Sequence, residues 1–351
     1  MNASDLKRYD RQIILPEIGI EGQRKLNNAS ILVVGAGGLG SPLLLYLAGA
    51  GIGHIAIVDH DIVDESNLQR QILYNMTDIG KNKANVAVDK LRLFNPDIQY
   101  TAYPLKLSPD NAAELIGQYS LIIDGSDNFP TRYLVNDTCV ALNKPLVFGS
   151  IFQFEGQVSV FNYEGGPDYR SIYPEPPLPD QLTNCGESGV IGTLPGIIGS
   201  LMANEAIKVI CHFGEVLSGQ LLIFNALNNN TQLFRFSTPP KKPLSNSAKN
   251  GHKTKYTSIN IEDLGVWKVN NIQYQLIDVR EAYEYEEYNI GGWNISLYDL
   301  NDHLNDLLPQ QRLVLCCSAG TRSKIAVQLL RDKFEGLLFT LIIPSKSIQS
   351  V

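Results

Sequence analysis

The sequence predicts an α/β protein with a doubly wound parallel sheet, followed by a second, smaller α/β domain. Short β-branched runs alternate with helical patterns across residues 31–150, which is typical of a parallel sheet with helices on both faces. A glycine-rich turn follows the first of those runs. Residues 237–255 form a polar stretch after which strand and helix patterns resume. At 351 residues the chain is long enough for two cores.

The elements of the first domain are predicted from its apolar runs. Buried parallel strands are expected at residues 31–34, 55–59, 121–124 and 146–148. Residues 83–94 carry apolar side chains at helical spacing, and residues 195–211 predict a long packed helix. Residues 152–161 and 219–236 alternate polar and apolar side chains, which favours antiparallel strands. In a doubly wound sheet, ligands bind at the carboxyl ends of the strands.

A linker and a second domain follow. Residues 237–255 hold three prolines, several lysines and no acidic residue, which indicates a flexible linker. The second domain is expected to contain strands at residues 275–278 and 313–316, and helices near residues 282–288 and 323–333. The predicted domain bounds are therefore 1–236, 237–255 and 256–351.

Composition and charge exclude several classes of function. A net charge of −7 gives no electrostatic argument for binding nucleic acid or a membrane surface. Residues 1–10 lack an apolar signal region, and the most apolar stretch, residues 41–58, is interrupted by proline and glycine rather than forming a membrane span. Five scattered cysteines do not make a disulfide framework, so we expect a cytoplasmic protein.

The glycine-rich turn predicts a phosphate site. It runs from Gly35 to Gly40 and includes Gly37 and Gly38. Glycines there permit a tight strand-to-helix turn and let a phosphate approach backbone N–H groups at the positive end of the helix dipole. Asp59 follows the next predicted strand, where a carboxylate can bind ribose hydroxyls. These residues fit NAD or FAD as well as ATP.

The stretch from Asn67 to Gln71 favours ATP. A loop or helical turn would bring Asn67, Arg70 and Gln71 to one face. Arg70 can clamp phosphate oxygens with two parallel hydrogen bonds, and Lys83 adds a point charge. Asp127 lies just past a strand end, where a carboxylate can hold Mg²⁺. A hydride-transfer enzyme has little use for this set, whereas an enzyme that splits ATP needs fixed cations and amide donors.

With these residues the chain resembles the MoeB/ThiF family of ubiquitin-activating-enzyme-like adenylyltransferases, over residues 6–236. The resemblance implies a Rossmann-like fold, a homodimer, and adenylation of the C-terminal glycine of a ubiquitin-like sulfur-carrier protein by Mg·ATP. It also implies that Arg11 reaches the phosphates of the neighbouring subunit, that Arg70 and Asp127 are catalytic, and that Asp127 binds magnesium. The implied ATP site comprises Gly35, Gly37, Gly38, Gly40, Asp59, Asp61, Asn67, Arg70, Gln71, Lys83, Asp127, Asn128 and Arg11.

One cysteine and one missing cysteine motif can be compared with the same family. Cys185 lies where family members often have a cysteine on a mobile crossover loop. Such a thiol could attack an acyl-adenylate or a thiocarboxylate, and a partly buried spare thiol is the alternative. Many members also carry two Cys-x-x-Cys pairs that hold a structural zinc. The first would fall near Asp168 and Ser171 and the second near the linker, and the sequence has neither, so we predict no zinc site.

A second loop carries another candidate nucleophile. The segment from Cys317 to Ser323 follows an apolar strand and runs into a helix. It can wrap backbone N–H groups around one sulfur, and Arg322 and the helix N-terminus would stabilise a thiolate. Such a thiolate suits sulfane-sulfur carriage or phosphate-ester cleavage. This loop, which includes Gly320, resembles that of rhodanese-like domains, and the resemblance implies that Cys317 receives a persulfide and passes on its outer sulfur.

The rhodanese-like resemblance covers residues 256–339 and has departures. Asp278 and Arg280 are expected to pair with or cap the loop, and Cys316 to be buried on its strand. Residues 291–293 replace a turn that is usual in such domains. A closing glycine-rich loop and final helix are missing, so we expect a C-terminally abbreviated domain that is weakly stable or depends on a partner.

Our leading hypothesis is a two-domain enzyme that adenylates a sulfur carrier ending in Gly-Gly, of the molybdopterin-synthase type, and delivers sulfur from a Cys317 persulfide. A donor such as a cysteine desulfurase would load the persulfide. One alternative activates a carrier for thiamin or another thiolation pathway. A non-catalytic scaffold that binds nucleotide and carrier is an alternative of another class. An NAD-dependent oxidoreductase is disfavoured, because no convincing catalytic His or Tyr-x-x-x-Lys follows the glycine loop.

Overall fold

A computed structural model describes residues 7–176, 189–237, 256–297, 299–300, 303–307, 312–318, 320–331, 333–334 and 336–343. The chain forms two compact units. The first comprises Met1–Pro176 and Asn184–Lys241, and the second comprises Pro177–Thr183 and Lys242–Val351. Cys185 and all of the predicted linker except Ser237 lie outside the described residues.

The first unit is built on an eight-stranded sheet in the order β3-β2-β1-β4-β5-β6-β7-β8. Its strands are β1 (Ser30–Val34), β2 (His54–Val58), β3 (Gln99–Tyr103), β4 (Leu121–Asp124), β5 (Leu146–Phe152), β6 (Glu155–Phe161), β7 (Gln220–Asn225) and β8 (Asn230–Arg235). The strands from β3 to β5 are parallel and the last three pairings are antiparallel. The chain order reverses between β1 and β4, which is where ligands bind in open α/β sheets.

Helices cover this sheet and place its loops. They are α1 (Asp10–Ile13), α2 (Gly19–Asn28), α3 (Gly40–Ala50), α4 (Lys83–Phe94), α5 (Ala112–Gly117), α6 (Phe129–Ala141) and α7 (Leu194–Cys211). Three asparagine side chains act as helix N-caps. Asn82 of α4 and Asn128 of α6 each accept a hydrogen bond from a backbone N–H in the first turn. Asn75 caps a short 3₁₀ turn at Met76–Asp78.

Helix α7 is the centre of the first core. It packs against α3, β5 and β6, and Leu194, Ile198, Met202 and Ala206 are completely buried on it. Among the described helices it alone is long and apolar enough to cross a membrane by length and composition. More than half of that apolar window is buried inside the unit, so its hydrophobicity is explained by core packing.

The second unit contains a five-stranded parallel sheet in the order β11-β10-β12-β13-β9. Its strands are β9 (Tyr256–Ile259), β10 (Tyr274–Asp278), β11 (Trp293–Asn294), β12 (Arg312–Cys317) and β13 (Leu337–Ile342). Its helices are α8 (Ile261–Val269), α9 (Ala282–Glu287) and α10 (Thr321–Leu330). Strand β12 lies at the middle of the sheet and is almost entirely buried, which brings Cys317 to its carboxyl end.

The predicted α/β fold class is confirmed in both units. Four of the predicted parallel strands correspond to β1, β2, β4 and β5, and the long helix is α7. Sequence patterns missed β3, β9, β11 and β13, together with α1, α2, α5 and α8. Strand β3 lies at a sheet edge with three half-exposed residues, so it lacks the continuous apolar run of a buried parallel strand.

Candidate active site

A cleft of about 760 Å³ opens at the carboxyl edge of the first sheet, where β1, β2 and β4 end. It brings together most of the residues that the sequence singled out. Those that line it are Gly35, Gly37, Gly38, Asp59, Asp61, Arg70, Gln71, Lys83, Asp127 and Asn128. Gly40, Asn67 and Arg11 do not line the cleft.

The glycine turn is held closed by its own backbone. Gly35 has a φ of +90°, a conformation that disfavours side chains. A methyl group added at Gly40 would lie 2.2 Å from the carbonyl oxygen of Gly35. Gly40 therefore acts from behind the turn, by allowing α3 to start against Gly35. The helix begins directly at the turn, so its N-terminal N–H groups face the cleft.

Asp59 joins the ends of β1 and β2. Its Oδ2 accepts the Ala36 N–H at 2.8 Å, and its Oδ1 accepts the Asp61 N–H at 2.8 Å. Burial raises the pKa of Asp59, while these two N–H groups and the charge of Lys83 oppose the rise. Each carboxylate oxygen still has a second lone pair, so a ligand hydroxyl can donate to it.

Lys83 is fixed before any ligand binds. Its side chain is only 7% exposed and its Nζ lies 3.1 Å from Oδ2 of Asp61. Asn82 donates from its Nδ2 to the carbonyl oxygens of Asp59 and Asp61, each at 3.1 Å. The first turn of α4 is thereby tied to the loop after β2, and the ammonium group is kept at the wall of the cleft.

A tight turn presents Arg70 and Gln71 to the cleft. The N–H groups of both residues donate to the carbonyl oxygen of Asn67, at 3.0 and 2.9 Å. The Arg70 guanidinium donates to the carbonyl oxygen of Ser66 at 3.0 Å, which leaves further N–H groups for a ligand. Gln71 is buried, and its Oε1 has no hydrogen-bond partner within the described residues. Asn67 instead donates its side chain to Ser66 Oγ at 3.2 Å, outside the cleft lining.

Asp127 and Asn128 line the cleft from the loop that follows β4. Asp127 is exposed, and its Oδ1 accepts from Asn128 Nδ2 at 3.4 Å. Asn128 caps α6 by accepting the Thr131 N–H at 3.0 Å. The carboxylate of Asp127 therefore projects from a loop whose next residue is anchored to a helix. Arg11 lies on the exposed helix α1.

Arg132, a buried residue of α6, was not predicted from the sequence as part of the site. Arg132 lines the cleft and donates from Nη2 to the Ser126 carbonyl oxygen at 3.1 Å, with its guanidinium 5.4 Å from the Phe129 ring centroid. Asp124 is fully buried, and burial raises its pKa against the opposing effects of Ser126 and Arg132. The signal available was an arginine inside an apolar helical pattern shortly after the strand end.

The second unit places Cys317 at the end of β12. The Ser323 N–H points at the Cys317 Sγ at 3.3 Å, and the Ser323 hydroxyl lies 3.5 Å from the same sulfur. Ser323 Oγ also donates to the Gly320 carbonyl oxygen at 3.1 Å. Gly320 has a φ of +74°, which lets the chain turn into α10. The sulfur therefore lies at a helix N-terminus in a buried position.

Charged pairs hold this loop in place. The Arg322 guanidinium binds Glu284 with both of its terminal nitrogens, one of them 2.7 Å from Oε1. The structure thus pairs Arg322 with α9, and its predicted stabilisation of the Cys317 thiolate stays a prediction. Arg280 binds Asp278 at 2.6 Å and lies 3.4 Å from Ser318 Oγ.

The structural roles predicted for these strand-end residues are therefore present in the structure. Asp278 is completely buried beneath its arginine partner. Cys316 is also fully buried, and burial raises the pKa of its thiol. These two residues support the loop from below rather than facing a ligand.

The positions expected to lack zinc ligands contain a helix cap. Asp168 Oδ1 accepts the N–H and the hydroxyl of Ser171, at 2.9 and 2.8 Å, at the start of the 3₁₀ turn Tyr169–Ser171. Cys139 and Cys211 are buried, and Cys211 belongs to the main hydrophobic core. Within the described residues, the acidic and histidine side chains close enough to share a metal ion are Asp59, His60 and Asp61.

Comparison with known proteins supports the same reading of both units. A family model described as the ThiF family matches residues 9–246, and one described as the rhodanese-like domain matches residues 267–342. The chain is 41% identical over 353 residues to "Probable adenylyltransferase/sulfurtransferase MoeZ" of Mycobacterium tuberculosis, covering 94% of this chain and 89% of that protein. It is 49% identical to "Sulfur carrier protein adenylyltransferase" of Thermus thermophilus, covering 68% of this chain and 90% of that protein.

Solved structures share the fold over about two thirds of the chain. The crystal structure of Escherichia coli MccB with ATP is similar with a TM-score of 0.59 at 22% identity, covering 66% of this chain and 72% of that one. At that identity the likeness concerns the fold.

Proposed function

The chain belongs to the ThiF family and carries a rhodanese-like domain, and we propose that it adenylates the C-terminal glycine of a ubiquitin-like sulfur-carrier protein and then supplies it with sulfur. One observation carries this proposal. A single cleft joins the glycine turn, the half-buried Asp59, the cations Arg70 and Lys83, and the exposed Asp127. Relatives over most of this length are named as adenylyltransferases and sulfurtransferases.

Adenylation requires two anions to meet. The glycine carboxylate of the carrier attacks the α-phosphorus of ATP, a new C–O–P linkage forms, and the bond to pyrophosphate breaks. A carboxylate and a triphosphate repel each other, so catalysis depends on neutralising charge and on in-line positioning. Arg70 and Lys83 would bind the phosphates, the N–H groups of the glycine turn would bind them from the α3 side, and Asp59 would accept the ribose hydroxyls.

Asp127 fits the carboxylate that would hold Mg²⁺. It is exposed in the cleft, and its described contact is with the neutral Asn128, so its oxygens are open to a hard cation. Bound magnesium would neutralise phosphate charge and favour departure of pyrophosphate. We also propose a homodimer in which Arg11, exposed on α1, reaches the phosphates of the partner subunit.

The second unit would supply sulfur. A persulfide donor, such as a cysteine desulfurase, would load an outer sulfur onto Cys317. That outer sulfur would attack the acyl carbon, AMP would leave, and an acyl disulfide to Cys317 would form. A second thiol would then attack the Cys317 sulfur, releasing the carrier thiocarboxylate and leaving a disulfide to Cys317. Cys185 is our candidate for attack on the acyl-adenylate or a thiocarboxylate. We place these steps in the cytoplasm, without nucleic acid, membrane or structural zinc.

ATP–pyrophosphate exchange tests the first half. Carriers ending in Gly-Gly, of the molybdopterin-synthase and thiamin types, would be supplied in turn with labelled pyrophosphate. We expect exchange with at least one of them, and the better carrier identifies the pathway. ATP binding without exchange for any carrier would support the scaffold alternative. An NAD-dependent activity would overturn the proposal as a whole.

Cys317→Ala separates the two halves. Because Cys317 lies in the second unit, the variant should retain exchange and lose thiocarboxylate formation on the carrier, measured by mass spectrometry. Cys316→Ala, which alters a buried neighbour on the same strand, is the matched control for packing. Unchanged sulfur transfer in Cys317→Ala would remove the rhodanese-like step.

A further inference from the structure

We propose that the hydroxyl of Tyr74 is a positioning group of the nucleotide cleft, which fixes the phosphate-facing N–H of Gly37 and the start of the helix that carries Lys83. This inference rests on the proposed function, because it concerns how the same cleft holds ATP. Tyr74 does not line the cleft and was not among the residues predicted from the sequence. It acts from the layer directly behind it.

Tyr74 connects three parts of the cleft wall. Its hydroxyl donates to the carbonyl oxygen of Ala36 in the glycine turn at 2.8 Å and lies 3.3 Å from the carbonyl oxygen of Lys83. Its backbone N–H donates to the carbonyl oxygen of Gln71 at 3.1 Å. The residue is 5% exposed and belongs to the main hydrophobic core. A rigid ring anchored in the core therefore ends in a polar group at the junction of these segments.

The hydrogen bond from Tyr74 to the Ala36 carbonyl oxygen also orients the N–H of Gly37, which belongs to the same peptide group. A trans peptide is planar, so its C=O and the following N–H point in opposite directions. Because the Ala36 carbonyl oxygen is held towards Tyr74, the Gly37 N–H is turned away from it. Gly37 lines the cleft, and its N–H makes no hydrogen bond within the part of the chain that the structure describes.

The backbone N–H of Ala36 is held as well as its carbonyl oxygen. The Ala36 N–H is held by Asp59 Oδ2 at 2.8 Å, so Ala36 is bound at both its N–H and its C=O. Rotation of the turn would have to break one of the two bonds. Two anchors of different chemistry thus define the orientation of the donor at Gly37, and only one of them, Asp59, can also contact a nucleotide.

The contact with Lys83 acts on the other wall. Lys83 is the first residue of α4, and its ammonium group depends on the position of that helix turn. The longer hydroxyl contact to its carbonyl oxygen and the short one to Ala36 keep the glycine turn and the lysine at a fixed separation. Burial raises the pKa of Tyr74, so the hydroxyl retains the proton that it donates.

The test compares Tyr74→Phe with Tyr100→Phe. Both variants keep a buried ring and remove one hydroxyl that donates to a backbone carbonyl, since Tyr100 donates to the Asn95 carbonyl oxygen at 3.1 Å. Tyr100 does not line the cleft. ATP and adenosine affinities would be measured on the full chain by titration calorimetry and ligand-observed NMR, with thermal unfolding recorded for each variant.

We expect Tyr74→Phe to bind ATP about tenfold more weakly, as for the loss of one hydrogen bond to a buried carbonyl, and to bind adenosine as the wild type does. Tyr100→Phe should match the wild type for both ligands. Equal weakening of ATP and adenosine, or unchanged ATP affinity in Tyr74→Phe, refutes the inference. A wild-type chain that fails to bind ATP would instead refute the proposed function, and the two failures are therefore distinguishable.

Discussion

Gly40→Ala should open the phosphate turn and loosen the first unit. The added methyl group would lie 2.2 Å from the Gly35 carbonyl oxygen, whereas carbon–oxygen contacts settle near about 3.3 Å. The carbonyl group must therefore move by roughly 1 Å. The next peptide N–H, that of Ala36, is the one bonded to Asp59, so this movement disrupts a hydrogen bond to a carboxylate as well as the packing.

The expected cost follows from those two effects. Overpacking costs about 1–3 kcal/mol, and a lost hydrogen bond to a charged group costs about 1.5–3 kcal/mol. The free energy of unfolding of the first unit should fall by about 3–5 kcal/mol, which corresponds to a lowering of its midpoint by about 10 °C. ATP affinity should fall in parallel, because the turn would no longer present its N–H groups correctly.

The assay can follow each unit separately. Both tryptophans, Trp267 and Trp293, lie in the second unit, so tryptophan emission reports that unit while far-ultraviolet circular dichroism reports both. Gly40→Ala should shift the dichroism transition and leave the tryptophan transition in place. Gly49→Ala is the matched control, since it lies in the same helix and its methyl group would meet Phe94 at an ordinary 3.7 Å. A Gly40→Ala chain as stable as Gly49→Ala would refute the reasoning.

Three further predictions concern charged groups. Asp127→Asn should lower ATP–pyrophosphate exchange by about a hundredfold or more without changing thermal unfolding, because Asp127 is exposed; retained exchange would exclude it as the magnesium carboxylate. Arg132→Met should destabilise the first unit by about 1–3 kcal/mol, since it removes the hydrogen bond to the Ser126 carbonyl oxygen and the cation near the buried Asp124, and chemical denaturation followed by dichroism measures this. Glu284→Gln should lower the stability of the second unit and weaken its pH dependence. Burial opposes ionisation of Glu284, but the ion pair with Arg322 outweighs burial and lowers the pKa of Glu284. The pair therefore stabilises the fold above the unfolded-state pKa, and that stability is lost as the pH falls through the lowered folded-state pKa. Tryptophan-monitored unfolding from pH 7 to pH 3 should show a smaller loss of stability in the variant than in the wild type.

The sequence predicted the cleft best where function requires an unusual residue. The glycines of the strand-to-helix turn and Arg70, which follows the predicted ribose-binding Asp59, are an unusual set for a protein that binds no nucleotide. Their spacing therefore indicated the site. Tyr74 and Arg132 were missed because each resembles an ordinary core or helix residue until the fold shows what its polar end contacts. Edge strand β3 was missed for a related reason, since a half-exposed strand lacks a continuous apolar run.

The placement of Arg322 shows a different limit. Arg322, five residues after Cys317, was expected to stabilise the Cys317 thiolate, because sequence distance was the available guide. The structure pairs Arg322 with Glu284 of α9, which is distant in sequence. A bidentate pair of this kind is set by tertiary geometry, and no local sequence pattern indicates such a partner.

The side chains that line the cleft carry too little positive charge to neutralise ATP. Within the described residues, its lining contains three carboxylates and four basic side chains, namely Asp59, Asp61, Asp127, Arg70, Lys83, Lys106 and Arg132. One net positive charge remains, and part of it is already committed because Lys83 is paired with Asp61. A triphosphate brings several negative charges and the attacking carboxylate adds another. If the cleft binds ATP as we propose, it needs cations from elsewhere, and the magnesium ion at Asp127 and the arginine of a partner subunit that we propose would supply them.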